Sequence, residues 1–176
     1  MEQKPVARSG TDTDRSAEFE RLVGPWVTEM YRAAAAICGR ETAEEVTQDA
    51  LLDAWRGFDR LRDPARIRAW LHSVLANRAR KHLRYDRFRP RVVSIENYRD
   101  GSQTSDPYAS VAERDRLDRV FGRLSVDQRM CVVLHYALDM AVPEVAQVLG
   151  LREGTVKSRI HAAVLRLRAA LLEDAP

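Results

Sequence analysis

A chain of 176 residues with 45% hydrophobic and 7% aromatic residues has room for one domain or two small ones, and too much apolar content for wholesale disorder. Eight Gly and seven Pro exclude a collagen-like or low-complexity chain. The longest uncharged apolar stretches, Ala33 to Gly39 and Met130 to Leu138, are seven and nine residues long, well short of the roughly twenty that a membrane span needs. With 29 Lys+Arg against 26 Asp+Glu the net charge is only +3, so the placement of charge, not its total, has to identify a partner.

In chain order, Met1 to Asp14 is polar, lacks the apolar core of a signal peptide or anchor, and reads as a disordered tail. No membrane insertion is expected, and the expected location is the cytoplasm. Ala17 to Cys38 reads as helix, broken or kinked at Gly24-Pro25, where proline removes a donor and clashes with the preceding turn. Gly39 closes it. Thr42-Ala43-Glu44-Glu45 has capping-box spacing and opens a helix through Val46, Leu51, Leu52 and Trp55 that ends near Gly57. Asp63-Pro64 pairs an N-cap with a proline at the first helical position, starting a long helix whose stripe is Ile67, Trp70, Leu71, Val74, Leu75, Ala79 and Leu83.

From Arg89 to Ser105 periodicity fails and Pro90, Asn97, Gly101 and Ser102 mark a polar connector. Asp106-Pro107 repeats the start signal for a helix through Val111, Leu117, Val120 and Phe121, and Ser125-Val126-Asp127-Gln128 forms another capping box. A short helix at 142–149, a turn at Gly150-Leu151-Arg152 and a last helix from Glu153 to Leu172 complete the chain, the last with Val156, Ile160, Ala163, Leu167 and Ala170 buried. The expected fold is all-α: two small helical domains joined by a flexible linker, the C-terminal one a helix-turn-helix. Cys38 and Cys131, far apart in apolar surroundings, read as buried free thiols.

Charge separates along this framework. Residues 41–53 carry five acids and no base, residues 56–91 carry twelve bases against three acids, and residues 152–168 carry five bases against one acid. In the last helix Lys157, Ser158, His161 and Arg166 avoid the apolar stripe, Arg159 lies near that face, and Thr155 sits at the helix start where amides meet phosphate. Asn77, Lys81 and Arg84 fall at i, i+4 and i+7, an amide for base edges beside two cations for phosphates. The acidic helix is repelled by DNA and reads as a docking face for a basic protein surface. Trp55 and Trp70 lie on apolar stripes and read as core, not as stacking platforms for bases. His72, His82, His135 and His161 lack metal-ligand spacing, and there is no Gly-rich phosphate loop or activated nucleophile, so neither an enzyme nor a cofactor is expected.

Together these residues resemble a bacterial RNA polymerase sigma factor of the extracytoplasmic-function group of the sigma-70 superfamily. Ala43 to Arg56 is similar to that family's polymerase-docking segment, and Ile67 to Asn77 to its promoter-melting segment. Leu124 to Leu138, Glu144 to Gly150 and Gly154 to His161 are similar to its C-terminal helix-turn-helix. The resemblance implies a tail at 1–14, region 2 at 15–88, a linker at 89–106 running through the polymerase's RNA exit path, and region 4 at 107–176. It implies that Gln48, Asp49, Leu52, Asp53, Trp55 and Arg56 bind the clamp helices of the largest polymerase subunit, with the flap of the second-largest subunit as a further contact. Arg62, Asp63, Asn77, Arg78, Lys81 and Arg84 would hold the minus-ten element and a base flipped from it. Arg152, Thr155, Lys157, Ser158, Arg159 and His161 would read the minus-thirty-five element. Core polymerase, promoter DNA and an anti-sigma factor are the implied partners, and catalysis belongs to the polymerase.

The chain departs from the family pattern at Ala141 and Arg152, where a small hydroxyl residue often caps each helix of the helix-turn-helix, and at the apolar Ala162-Ala163-Val164, where further bases are common. Each missing cap is worth about 1 kcal/mol. Pro143 is tolerable in the first turn of its helix. The alternative is a stand-alone helix-turn-helix regulator that binds duplex operator without polymerase and uses its N-terminal half only to dimerise or take a signal.

Overall fold

The first helix, α1, spans Ser9–Val23. The computed structural model describes residues 9–86 and 119–173, and every regular element among them is helical. The start at Ser9 precedes the expected Ala17, so residues 9–14, assigned to a disordered tail, are helical. The apolar period could not show this, because the added turns are polar. Pro25 stands in a single 3-10 turn, Gly24–Trp26, that breaks α1 from α2, Val27–Cys38.

Gly39 ends α2 at φ 94°, its N–H donating to the Ala35 carbonyl at 3.0 Å. That positive φ turns the chain at once, and α3 runs from Arg40 to Gly57. The expected Thr42 capping box is therefore absent: α3 begins two residues earlier, and the Thr42 hydroxyl donates back to the Cys38 carbonyl at 3.1 Å. Asp63 behaves as expected, accepting from the Ala65 N–H at 3.0 Å ahead of a 3-10 turn, Pro64–Arg66, that leads into α4, Ile67–Asp86.

The start signal at Asp106-Pro107, the connector and the helix through Leu117 lie outside the described residues, apart from a helical end at 119–122. Ser125 then forms the expected reciprocal box with Gln128, at 3.3 and 3.1 Å, opening α5, Val126–Val132. The continuation is unexpected: Val133–Ala137 widens into a π turn. It is followed by Asp139 at φ 52°. In α6, Val142–Leu149, the cap residue Ala141 offers no side-chain oxygen, and only half a box forms, the Ala141 N–H donating to Glu144 Oε2 at 2.8 Å. Gly150, left-handed at φ 65°, closes α6 in a Schellman pattern, with the Leu151 N–H on the Ala146 carbonyl at 2.9 Å and the Gly150 N–H on Gln147 at 3.3 Å. The last helix, α7, spans Glu153–Glu173.

Packing follows from residue size. Ala33, Ala34, Ala43, Ala50 and Ala54 are fully buried between α2 and α3, small side chains that allow the two helices close approach. Met30, Ile37, Leu71 and Leu75 fill the space against α4, each burial contributing on the order of 1.5–3 kcal/mol. In the other half α7 lays Val156, Ile160 and Ala163 against α5 and α6. The two halves are packed on each other, since α4 meets α6, α2 meets α5 and the π turn, and the larger of two clusters of buried residues runs through both halves, with Leu124, Val132 and Ala163 forming the smaller one.

Three arginines cross this joint to backbone carbonyls: Arg68 to Leu138 at 2.6 Å, Arg129 to Ile37 at 2.6 Å, and Arg80 to Leu149 at 3.4 Å. Ile37 and Leu149 lie in the last turns of α2 and α6, where carbonyls lack intrahelical donors and the helix dipole is negative.

The caps give a paired stability test. Ser125→Ala is expected to lose about 1 kcal/mol, and Ala141→Ser, whose backbone at φ −64°, ψ 151° suits a cap, to gain a similar amount by completing the Glu144 half-box. Urea denaturation of both variants against the parent checks this.

Candidate nucleic-acid interface

Helical geometry sorts the residues assigned to α3. Gln48, Leu52 and Arg56, four residues apart, are exposed, Leu52 strongly so at 51%. Gln48 Nε2 donates to Glu44 Oε1 at 3.0 Å, which keeps the amide on that face. Asp49 and Asp53 turn toward α4 and are only half-exposed. Trp55 turns toward α1, edge-on to Phe19 at 5.1 Å, with the Arg15 guanidinium 4.0 Å over its ring.

On α4, Asn77, Lys81 and Arg84 are all exposed along one strip, as their spacing predicts. Arg78 is not with them. Its guanidinium donates to Asp53, from Nε at 3.0 Å and from Nη2, and to Asp49 from Nη1 at 3.1 Å, leaving the side chain 17% exposed. These carboxylates hold its pKa above the ordinary arginine value, the hydrogen bond with Asp53 foremost, against the opposing effect of burial.

Continued one and two turns toward its start, the α4 strip carries Ser73 and Trp70, which with Arg60, Arg62, Asp63 and Arg66 line a cavity of about 410 Å³. Arg62 and Asp63 thus belong to the mouth of a pocket, and Trp70, assigned to the core, packs against the core with one side and lines that pocket with the other. Gln147 and Val148 of α6 form its far wall, a contribution from the other half that no local pattern announces.

In α7 the exposed face carries Lys157, Ser158 and His161, with Arg152 exposed just before the helix and Thr155 half-exposed. Ser158 Oγ donates to the Thr155 carbonyl at 3.0 Å. Arg159 is turned the other way: it pairs with Asp127 of α5 at 3.1 Å, 29% exposed, as its place beside the stripe of Val156 and Ile160 requires. Arg166 likewise leaves this face, donating to Gln128 Oε1 at 3.0 Å. Arg168, eleven residues after Lys157 and exposed, extends the cationic face by another turn; the helical period starting from Lys157 is the signal that identifies it.

Behind these faces lies a half-buried charged cluster around the buried His72. Glu29 of α2 accepts from Arg68 Nε at 2.8 Å and from His72 Nε2 at 2.7 Å. With Nε2 carrying the proton, the buried Nδ1 has no partner, so a second proton there would be an unsatisfied donor. Burial depresses the His72 pKa below 6.5, outweighing the pull of Glu29. For Glu29 burial acts upward, but the hydrogen bonds from Arg68 and His72, with their charge, hold it below 4.5. Among the described residues no group of three or more His, Cys, Asp or Glu is placed to hold a metal, and no helix is long and apolar enough to cross a membrane.

Because the folded state resists protonating His72, the unfolded chain takes up that proton first as pH falls. Stability is therefore expected to be level above about pH 6.5 and to decline below it. The Glu29 contribution is present above 4.5 and lost as pH falls through its lower folded pKa. His72→Gln keeps a donor toward Glu29 without titrating, so it is expected to flatten the first decline and leave the second, as read from urea midpoints across pH.

The sequence matches the family model for sigma-70 region 2 over residues 22–89 and that for sigma-70 region 4 over residues 114–167. It is similar to the ECF RNA polymerase sigma factor SigL of Mycobacterium tuberculosis, 33% identical over 168 residues covering 94% of this chain and 95% of that one. It is also similar to the RNA polymerase sigma factor CnrH of Cupriavidus metallidurans, 34% identical over 168 residues covering 89% and 87%. The solved structure of CnrH in complex with the cytosolic domain of CnrY matches with a TM-score of 0.67 over 91% of each chain at 29% identity. The sigma factor RpoE in complex with the anti-sigma factor NepR from Bartonella quintana shares the fold, with a TM-score of 0.70, 24% identity and coverage of 90% and 99%.

Proposed function

Since the chain belongs to the extracytoplasmic-function group of RNA polymerase sigma factors, we propose that it binds core polymerase, directs it to promoters through minus-ten and minus-thirty-five elements, and aids melting of the duplex. The observation that carries this reading is the segregation of three solvent faces onto three helices: Gln48, Leu52 and Arg56 on acidic α3, the Asn77, Lys81 and Arg84 strip on α4, and Lys157, Ser158 and His161 on α7. The first meets the clamp helices of the largest polymerase subunit. Along the second, phosphates of the minus-ten element meet Lys81 and Arg84, and a displaced base enters the pocket of Arg62, Asp63 and Trp70, where stacking on an aromatic is worth about 1–3 kcal/mol. The third enters the major groove at the minus-thirty-five element, with amides at the start of α7 and Thr155 at phosphate. Region 4 also meets the flap of the second-largest subunit.

This function sets a distance that the described arrangement does not meet. Elements some 25 base pairs apart are about 85 Å apart along the duplex at 3.4 Å per step. Here α4 is packed on α6, and Gln147 and Val148 close one wall of the minus-ten pocket. In this reading the packed arrangement is a closed form, and engaging both elements requires the halves to separate. An anti-sigma factor is a further proposed partner, supported by the complex of CnrH with the cytosolic domain of CnrY. The proposed location is the cytoplasm, and catalysis stays with the polymerase.

Run-off transcription tests the reading: core polymerase with this protein is expected to start at promoters of its source genome, and neither component alone. No transcript from any of them, while a known sigma factor succeeds with the same polymerase, would overturn it. Leu52→Asp is expected to weaken polymerase association at least tenfold and leave the protein folded, because Leu52 is 51% exposed; a pull-down titration and circular dichroism check both. Lys157→Ala is expected to lower the salt-dependence slope of promoter binding by about one.

A further inference from the structure

Arg78 falls within the cationic segment yet stands apart from the strip formed by Asn77, Lys81 and Arg84. All three of its guanidinium nitrogens donate to α3, Nε and Nη2 to Asp53 and Nη1 to Asp49 at 3.1 Å. Asp49 and Asp53 are one helical turn apart, and two carboxylates so placed repel each other unless a cation lies between them. A planar guanidinium can serve both at once, whereas an ammonium, a point charge without a fixed fork, cannot reproduce the geometry. Arg56 reaches Asp53 only at 3.5 Å and is 71% exposed, so it does not replace this bridge. At 17% exposure and with three donors on carboxylates, Arg78 is far less open to a phosphate than Lys81 or Arg84, which are both exposed.

We propose that Arg78 is a positioning residue: by bridging Asp49 and Asp53 it fixes the rotation of the polymerase-docking helix α3 against α4, and it makes no DNA contact. Two consequences follow from the geometry. The exposed Gln48, Leu52 and Arg56 face is held at one angle to the Asn77, Lys81 and Arg84 strip, so polymerase docked on α3 presents α4 to the promoter in one orientation. The same bridge offsets half of the negative charge that Asp49 and Asp53 place close to the path a phosphate backbone would take along α4. This inference rests on the reading of α3 as the docking helix and of α4 as the minus-ten helix.

The test uses the full chain with core polymerase and compares Arg78→Ala, Arg78→Lys and the exchange Arg78→Asp with Asp53→Arg, taking Lys81→Ala as the DNA-contact standard. Three quantities are measured: polymerase affinity, the salt-dependence slope of promoter binding, and the rate of promoter opening followed by a fluorescent base analogue. For Arg78→Ala the expected result is opening slowed on the order of tenfold with an unchanged salt slope, where Lys81→Ala lowers the slope by about one. Arg78→Lys is expected to rescue only partly, and the charge exchange to return opening to within about threefold of the parent. A salt slope lowered by about one in Arg78→Ala, with no rescue by exchange, would overturn the proposal in favour of a phosphate contact; parental opening in Arg78→Ala would overturn it as well. Should Arg78→Ala fail to fold, Arg78→Lys decides: slowed opening at unchanged slope supports the proposal, and parental opening overturns it. Failure of the underlying reading is separately visible, because the parent protein itself would then neither bind core polymerase nor open a promoter.

Discussion

One helix, α4, has to satisfy five different surroundings around a single circumference, and most of the molecule is arranged to let it do so. Leu71, Leu75, Ala76 and Ala79 are at most 2% exposed. Beside them Arg68 and His72 reach Glu29 on α2, Arg78 reaches the acids of α3, and Arg80 reaches α5 and α6. What is left is a solvent strip of Trp70, Ser73, Asn77, Lys81 and Arg84. A helix with so many basic residues can be buried on most sides only if each inward arginine finds an acceptor, because an unpaired buried charge costs several kcal/mol. The acids of α2 and α3 and the helix-end carbonyls supply those acceptors.

This division explains why net charge along a segment is a poor guide to which residues face DNA. The segment 56–91 is strongly cationic, yet Arg68, Arg78 and Arg80 are committed to protein acceptors. In α7, Arg159 and Arg166 are likewise committed, to Asp127 and Gln128. On the two helices the exposed cations outside these pairings lie at helical spacing, Lys81 with Arg84 and Lys157 with Arg168, while Arg60, Arg62 and Arg66 are exposed around the start of α4. Position on the helix, more than abundance, marks the surface available to a phosphate backbone.

Local signals in the sequence were legible where the chemistry is local. Asp63-Pro64, the Ser125–Gln128 box and the left-handed Gly150 each act within a few residues, and each stands where its pattern places it. Thr42 misled because a neighbouring glycine at positive φ offered an earlier start to the same helix. Pairing across helices left no such trace. That Arg78 faces Asp53 and Arg159 faces Asp127 depends on how elements 25 and 32 residues apart are rotated against each other. Trp70 was half legible: its apolar period is real, but it sits at the edge of the stripe, where one side of the ring meets the core and the other an arginine-lined pocket. The π turn at Val133–Ala137 continues an apolar run without a break in pattern, so nothing in the composition signals the change in winding.

The joint between the halves has the mixed character of a contact that can be undone. A continuous apolar cluster crosses it, but so do Arg68, Arg80 and Arg129, each ending on a carbonyl that water can satisfy equally well once exposed. Contacts between domains of one chain commonly resemble transient interfaces rather than cores, and relative motion is their ordinary behaviour. The arginines therefore add direction to the closed arrangement while making its opening less costly than separating a purely apolar seam of the same extent. In the proposed function this matters because the energy for opening has to come from binding: polymerase and promoter shift the equilibrium only by the difference in their affinity for the open and closed forms. A pocket walled partly by α6 supplies such a difference, since Gln147 and Val148 border it only while the halves are packed together and its shape changes when they part.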